Sequence, residues 1–462
     1  MSYIEIKNVT CKSKGEYNIL EGLNLEIKKG QCILFMGSSG SGKTSITKLI
    51  NGIIPHFEEK IVFEGDVLID GESTRNIFQY QISEKVGSIF QNPKSQFFNS
   101  DVEGEIAFGL ENIGITPEKI KENLKITINR LSLERLLGKD ILYLSSGEKQ
   151  ILAFASIFAL NTDIVVLDEP SSNLDMESID IIKKNIQLFK NEGKTIILAE
   201  HRLYYLKDII DKAYYIEEGV IKDCFEKEEF KLFNTEKENN LKIRTLSTPE
   251  LKLSHKEFNN SNEFVCENLS FEINNEKLFD NINISLNRGE VLGIIGKNGT
   301  GKTSLLKCIA GLNKKGKGTV RLDNKILNNK ERLKKTYLVT QDINSQLFTE
   351  SVIEECKLNL PDEKYELLYS TLKKLNLYKY KDKHPMSLSG GQKQRLAIAL
   401  ALISNKEILE FDEPTSGLDY SNMIIVSNMI REISRKTNKF TIIVSHDYEF
   451  LNIVADSILS LS

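Results

Sequence analysis

Short apolar runs alternate with amphipathic stretches along most of the chain. Residues 32–36 and 291–295 are such runs, each ending at a glycine, as expected of strands buried on both faces of a largely parallel sheet. Further runs stand at 164–167, 195–199 and 441–444, and strand-like segments at 86–90 and 337–340. After each Gly-Lys-Thr the period becomes helical, with Ile46, Leu49 and Ile50 in one half and Leu305, Leu306 and Ile309 in the other. Gly52 and Gly311, nine residues past the lysines, are predicted to stop these helices. Residues 1–7 alternate like a strand and lack the features of a signal peptide. The pattern predicts an α/β fold.

The same text is written twice. Gly37-Ser38-Ser39-Gly40-Ser41-Gly42-Lys43-Thr44 recurs as Gly296-Lys297-Asn298-Gly299-Thr300-Gly301-Lys302-Thr303. Leu144-Ser145-Ser146-Gly147-Glu148 recurs as Leu388-Ser389-Gly390-Gly391-Gln392, Asp168-Glu169-Pro170 as Asp412-Glu413-Pro414, and His201 as His446. The offsets are 259, 244, 244 and 245 residues, close to a domain length, so a tandem duplication is expected rather than a short-repeat solenoid. The expected organisation is a first domain over 1–222, a linker over 223–262 and a second domain over 263–462. The linker region is polar, rich in Lys, Glu and Asn, and contains Ser247-Thr248-Pro249. Forty flexible residues span roughly 35 Å, enough to let the two domains meet face to face.

Composition narrows the picture. Of 462 residues, 40% are hydrophobic and 27% charged, which supports folded cores rather than a disordered chain. The net charge of −4 lacks the basic excess of a wholesale nucleic-acid binder. The longest apolar run, 151–160, stops at Asn161-Thr162-Asp163, short of a bilayer span. Six scattered cysteines form no CxxC pair, which argues against zinc and disulfide frameworks. The expectation is a soluble, reduced, cytoplasmic protein that reaches a membrane only through a partner.

The repeated residues suit phosphate chemistry. A GxxxxGKT segment between strand and helix lets main-chain N–H groups curl around an anion at a helix N-terminus. Lys43 and Lys302 are expected to neutralise β- and γ-phosphates, and Thr44 and Thr303 to offer hydroxyls to Mg²⁺. Asp168 and Asp412 close apolar runs, which puts a carboxylate at the strand's carboxyl edge beside the cradle as a Mg²⁺ ligand. Glu169 and Glu413 follow, suited to polarising water for in-line attack. His201 and His446 lie 32 and 33 residues after those glutamates, placed to contact a γ-phosphate. Gln91 and Gln341 follow strand-like segments and are candidates to touch Mg²⁺ or water. Glu410, a charge inside the run 408–411, suggests a strand with one less buried face. Ser145-Ser146-Gly147 and Ser389-Gly390-Gly391 each precede a long apolar helix; they read either as a second anion site per half or as plain helix caps.

This ordered set resembles the nucleotide-binding domain of ATP-binding-cassette (ABC) proteins, over both halves. The resemblance implies two tandem P-loop NTPase domains, each a mostly parallel sheet core with a helical subdomain, binding ATP and Mg²⁺ and hydrolysing ATP. It implies head-to-tail pairing of the two halves. One site would then combine Gly37–Thr44, Gln91, Asp168, Glu169 and His201 with Ser389, Gly390 and Gly391. The other would combine Gly296–Thr303, Gln341, Asp412, Glu413 and His446 with Ser145, Ser146 and Gly147. The loops 172–175 and 416–419 match the family's D-loop.

Residues 91–98 and 102–112, together with Leu144-Ser145-Ser146-Gly147-Glu148-Lys149-Gln150 and Ala199-Glu200-His201-Arg202-Leu203, are similar to the ATPases of energy-coupling-factor importers. That likeness implies a peripheral protein on the cytoplasmic membrane face, driving uptake of a micronutrient through a transmembrane coupling subunit and a substrate-binding subunit, with no nucleic-acid partner. The docking groove would involve 96–111 and 346–355. Three positions depart from the family pattern. Ser146 stands where a glycine is usual. Ser13 and Ile273 stand where an aromatic against adenine is expected, leaving Tyr17 and Phe271 as candidates. Ile151 stands where the second half has Arg395. Two active sites are expected. The competing readings are a tandem cassette acting on ribosomes or nucleic acid, against which the mixed-charge linker weighs, and the ATPase of an exporter.

Overall fold

The structure, a computed structural model, describes residues 2–13, 18–172, 174–273, 276–358, 360 and 365–461. The chain divides into two units, 1–248 and 249–462.

In the first unit the predicted apolar runs become one sheet in the order Val220–Glu226, Lys212–Glu217, Cys32–Met36, Thr195–Ala199, Ile164–Asp168, Val86–Ile89. All neighbours are parallel except the first pair. The strands Cys32–Met36, Ile164–Asp168 and Thr195–Ala199 are buried at every position, which explains why they read as continuous apolar runs rather than alternations. An antiparallel sheet (Asn18–Lys28, Ser2–Ser13, Ile61–Ile69, Glu72–Ser73) lies in the same unit. The helices Val102–Asn112, Pro117–Leu131 and Ser146–Leu160 bury a separate cluster around Ile106, Leu110, Leu136 and Leu152, the helical subdomain that the resemblance implies.

The second unit repeats the plan. Its parallel sheet runs Thr336–Val339, Ile408–Asp412, Phe440–Val444, Val291–Ile295, Ser457–Ser460. Beside it are an antiparallel sheet that includes Phe264–Ile273 and Glu276–Leu286, and the helix Gly390–Ile403. Gly52 and Gly311 both take the left-handed conformation, φ 75° and 81°, just after the helices they were expected to stop.

Two expectations need correction. Most of the segment 223–262, read as a flexible linker, is built into the units. Phe225, Phe230, Leu241, Ile243 and Leu246 enter the first unit's core, the carboxylate of buried Glu238 accepts the Leu246 N–H at 2.8 Å, and the division falls at 248/249. On the other side Lys256 donates its N–H to Ile458 O at 2.7 Å. The few apolar residues of this stretch are widely spaced among charges, so composition hides a packed segment. Glu410, expected on a less buried face, is 0% exposed, with neither oxygen hydrogen-bonded among the described residues. Burial, with Asp412 beside it, pushes its carboxyl well above the usual range.

Candidate active site

Each cradle begins where a central parallel strand ends. The backbone turns at Gly37 with φ 144°, and a Cβ there would fall 2.1 Å from the Ile216 carbonyl oxygen. At Gly296 the corresponding approach, to Leu461 O, is 2.3 Å. Only glycine fits so close a passage of backbone past a neighbouring strand. Gly42 and Gly301, φ 107° and 89°, then open the helices Lys43–Ile50 and Lys302–Ile309. Lys43 Nζ donates to Gly37 O and Ser38 O at 2.9 and 2.8 Å; Lys302 Nζ donates to Gly296 O and Lys297 O at 2.8 and 2.7 Å. The Ser41 hydroxyl is buried with no hydrogen-bond partner among the described residues. A buried ammonium folded over a glycine-lined turn and an orphaned hydroxyl within it fit a phosphate chain.

Next to each cradle a hydroxyl meets a carboxylate. Thr44 Oγ1 donates to Asp168 Oδ1 at 3.1 Å, and Thr303 Oγ1 to Asp412 Oδ2 at 2.7 Å. Burial, reinforced by the adjacent Glu169 charge, pushes the Asp168 carboxyl up to about 6; burial likewise raises that of Asp412. Buried, hard oxygens of this kind suit Mg²⁺, whose charge would offset the desolvation.

The neighbouring glutamates adopt a strained backbone, φ 47° at Glu169 and 51° at Glu413, with their N–H groups held by Ala199 O and Val444 O at 2.8 and 2.9 Å. That kink brings the carboxylates to the histidines: His201 Nε2 lies 3.3 Å from Glu169 Oε1, and His446 Nε2 3.5 Å from Glu413 Oε1. Gln91 Nε2 donates to Glu169 Oε2 at 2.7 Å, so its amide reaches the glutamate rather than Thr44 and Asp168. Burial works to raise the Glu169 pKa, but His201, Lys43 and Gln91 together outweigh it and hold the carboxyl below its ordinary range. In the second unit His446 Nε2 also lies 3.1 Å from Asn298 Oδ1 of the cradle. Gln341 is exposed just past the strand Thr336–Val339.

Ser145 and Ser389 are helix caps. Each hydroxyl accepts the N–H of the residue three on, Glu148 at 3.2 Å and Gln392 at 3.4 Å, while those side chains accept the serine N–H groups in return. The departure at Ser146 is accommodated without a clash: a Cβ at its counterpart Gly390 meets nothing within 4 Å. Of the candidates for the base, Phe271 stacks on Phe279 at 6.2 Å between centroids, and Tyr17 lies outside the described residues, as does Asn173 of the loop 172–175.

Sequence reasoning named Glu200 only within the segment 199–203 and gave it no role, and it passed over Ser445 and Asp447. All three are buried around the histidines, but they do not match one another across the repeat, so duplication could not single them out.

The family described as ABC transporter matches residues 20–172 and 279–416. The chain belongs to that family, as two tandem ABC domains that bind and hydrolyse ATP. A protein of Treponema denticola, provisionally named an ABC transporter ATP-binding protein, is 39% identical over 99% of this chain and 95% of its own length. One from Clostridium perfringens with the same kind of name is 31% identical over 96% of this chain and 86% of its own. Among solved structures, an archaeal ribosome recycling factor in complex with a ribosomal stalk protein aligns over 99% of this chain and 87% of its own, with TM-score 0.65 at 23% identity, a likeness of fold alone. No helix among the described residues is long and apolar enough to cross a membrane.

Proposed function

We propose that this ABC ATPase is the motor of an energy-coupling-factor importer, bound at the cytoplasmic face of a membrane to a transmembrane coupling subunit and powering micronutrient uptake through a separate substrate-binding subunit. The observation that carries the reading is a matched pair of presented rings. Phe98 and Phe348 are 74% and 76% exposed. Behind each, a buried glutamate fixes the loop. Glu105 accepts the N–H groups of Phe98 and Asn99 at 2.9 and 2.8 Å, and Glu355 those of Phe348 and Thr349 at 2.8 and 2.9 Å. Gln96 and Gln346 accept the N–H groups of Phe90 and Thr340 at 3.2 and 3.1 Å, tying the same loops to the strand ends that precede the Gln91 and Gln341 positions. An apolar ring held out on a loop wired to an ATP site is a coupling element, and the second unit adds a cavity of about 430 Å³ lined by Tyr337, Gln346, Phe348 and Glu355.

In this reading the main-chain N–H groups of 37–44 and 296–303, with Lys43 and Lys302, bind the phosphates. Thr44 with Asp168, and Thr303 with Asp412, hold Mg²⁺, which when bound neutralises charge on the phosphate oxygens. Gln91 and Gln341 reach the attacking water. Glu169 and Glu413 orient that water and take its proton, and His201 and His446 contact the γ-phosphate. Ser389, Gly390 and Gly391 complete the first site and Ser145, Ser146 and Gly147 the second, through head-to-tail pairing.

The test is assembly. Phe98 is the residue to replace rather than its neighbour Phe97, which is partly buried against two core clusters. Phe98→Ala with Phe348→Ala is expected to keep ATP binding and to lose co-purification of hydrophobic membrane subunits. Co-purification of ribosomes or RNA instead would move the reading to the competing class.

A further inference from the structure

The two histidine loops are tethered by a buried carboxylate that has changed place between the repeats. In the first unit it is Glu200, directly before His201. Its Oε1 accepts the N–H groups of His201 and Arg202 at 2.7 and 3.1 Å. Its Oε2 accepts the Ser171 N–H at 3.2 Å and the Tyr205 hydroxyl at 2.8 Å. Ser171 is two residues past Glu169, so a single carboxylate joins the histidine loop to the turn that follows the glutamate. The Glu200 N–H is itself held by Phe35 O, on the strand that leads into the cradle, at 3.3 Å.

In the second unit the residue before the histidine is Ser445, and its N–H meets Ile294 O at 3.2 Å, just as Glu200 meets Phe35. Ser445 is shorter, and its hydroxyl meets the Glu413 carboxylate at 3.4 Å rather than the residues that follow it. The buried carboxylate now comes from Asp447, directly after His446. Its Oδ2 accepts the Thr415 hydroxyl at 3.0 Å, and its Oδ1 accepts the Phe450 N–H at 3.2 Å. Thr415 is two residues past Glu413, the counterpart of Ser171. The two tethers therefore join the same two segments from opposite sides of the histidine. Where the first unit has the long Glu200 it has Arg202 at the following position, and where the second has Asp447 it has only a serine before the histidine.

We propose that Glu200 and Asp447 are equivalent positioning residues for ATP hydrolysis, each fixing its histidine against its glutamate, and that a site needs one such carboxylate on either side of the histidine but not both. The inference rests on the reading of His201 and His446 as γ-phosphate contacts. Each tether is a buried side chain whose oxygens accept main-chain and hydroxyl donors from two segments, so its removal loosens the histidine loop from the turn. A loose catalytic pair loses rate steeply with displacement, whereas ATP binding, made by the cradle, does not depend on it.

The test uses the full-length chain, measuring kcat and KM for MgATP together with equilibrium ATP binding. Removing both tethers, Glu200→Ala with Asp447→Ala, is expected to lower kcat by about tenfold or more while KM stays within about twofold. Adding these changes to His201→Ala with His446→Ala is expected to lower kcat no further, since the tethers act through the histidines. The relocation variant, Glu200→Ser with Arg202→Asp, gives the first unit the second unit's arrangement and is expected to recover what Glu200→Ser alone loses. Multiplicative losses in the fourfold variant, or a relocation variant no better than Glu200→Ser while still binding ATP, overturn the proposal. Full turnover by His201→Ala with His446→Ala would instead remove the reading of the histidines on which it rests.

Discussion

The first unit's glutamate and the second's are held by different hands. Glu169 receives the Gln91 amide at 2.7 Å, while the His201 N–H goes to Glu200. Glu413 receives the His446 N–H at 3.3 Å and the Ser445 hydroxyl at 3.4 Å, and the Gln394 amide reaches its carbonyl oxygen at 3.3 Å. The first arrangement gives the histidine N–H to the tethering carboxylate; the second gives it to the glutamate itself and leaves Asp447 to tie the loop to Thr415. Two domains with the same motif order thus reach the same glutamate–histidine contact through different donors. Conserving a contact requires only that some donor of suitable length stand nearby, and the repeat has been free to exchange which one.

The largest effect expected is on chemistry. Glu169→Gln with Glu413→Gln should keep ATP binding and lower steady hydrolysis about a thousandfold, measured as phosphate release; retained turnover removes these residues as bases. Each single variant then reports how far the two differently held sites depend on one another. The next effect is on stability. Asp168 has its carboxyl raised to about 6 in the folded chain, so its stabilising contribution is complete only below its ordinary pKa and is lost as pH rises through about 6. Asp168→Asn is therefore expected to stabilise the nucleotide-free protein by up to about 3 kcal/mol at pH 8 and by about half that at pH 5, read from denaturant unfolding. Asp412→Asn should act in the same direction, because its carboxyl is raised too.

A smaller effect separates the two glutamates directly. Gln91 is the least of the groups that hold the Glu169 carboxyl low, after His201 and Lys43, so Gln91→Ala is expected to move the acid limb of the pH–rate profile slightly upward. Ser445→Ala is expected to leave kcat within about twofold, because its 3.4 Å contact with Glu413 is long for a hydroxyl donor. A larger loss of kcat for Ser445→Ala than for Gln91→Ala would reverse the assignment of which glutamate leans on its side-chain donor. The smallest effect is at the helix caps. Ser146→Gly, and Gly390→Ser in the other unit, should leave kcat within about twofold, since a side chain there meets open space and the caps are kept.

Much of the site was legible because its chemistry is local in sequence and doubled. A glycine turn with its lysine, or a carboxylate closing an apolar run, needs only neighbours along the chain, and duplication lifts each above chance. Phe98 and Phe348 also repeat, at the same spacing of 250 residues as Gln91 and Gln341, but their exposure is a property of packing and could not be read from that spacing. Residues 223–248 misled for the opposite reason: their apolar residues are sparse, and only contact with the first unit's sheet makes them core.

What the chain's own order determined is the plan: two α/β units, each with a phosphate cradle, a carboxylate pair and a histidine, because strand and helix periods and turn chemistry act over a few residues. What only the folded molecule decided is who holds whom. Glu200 and Asp447 stand on opposite sides of their histidines in the sequence, and Glu410 looks like an exposed charge there. Burial and the meeting of strand ends far apart in the chain turn the first two into matching tethers and the third into a fully buried core residue, since desolvation and hydrogen-bond pairing depend on distance in space.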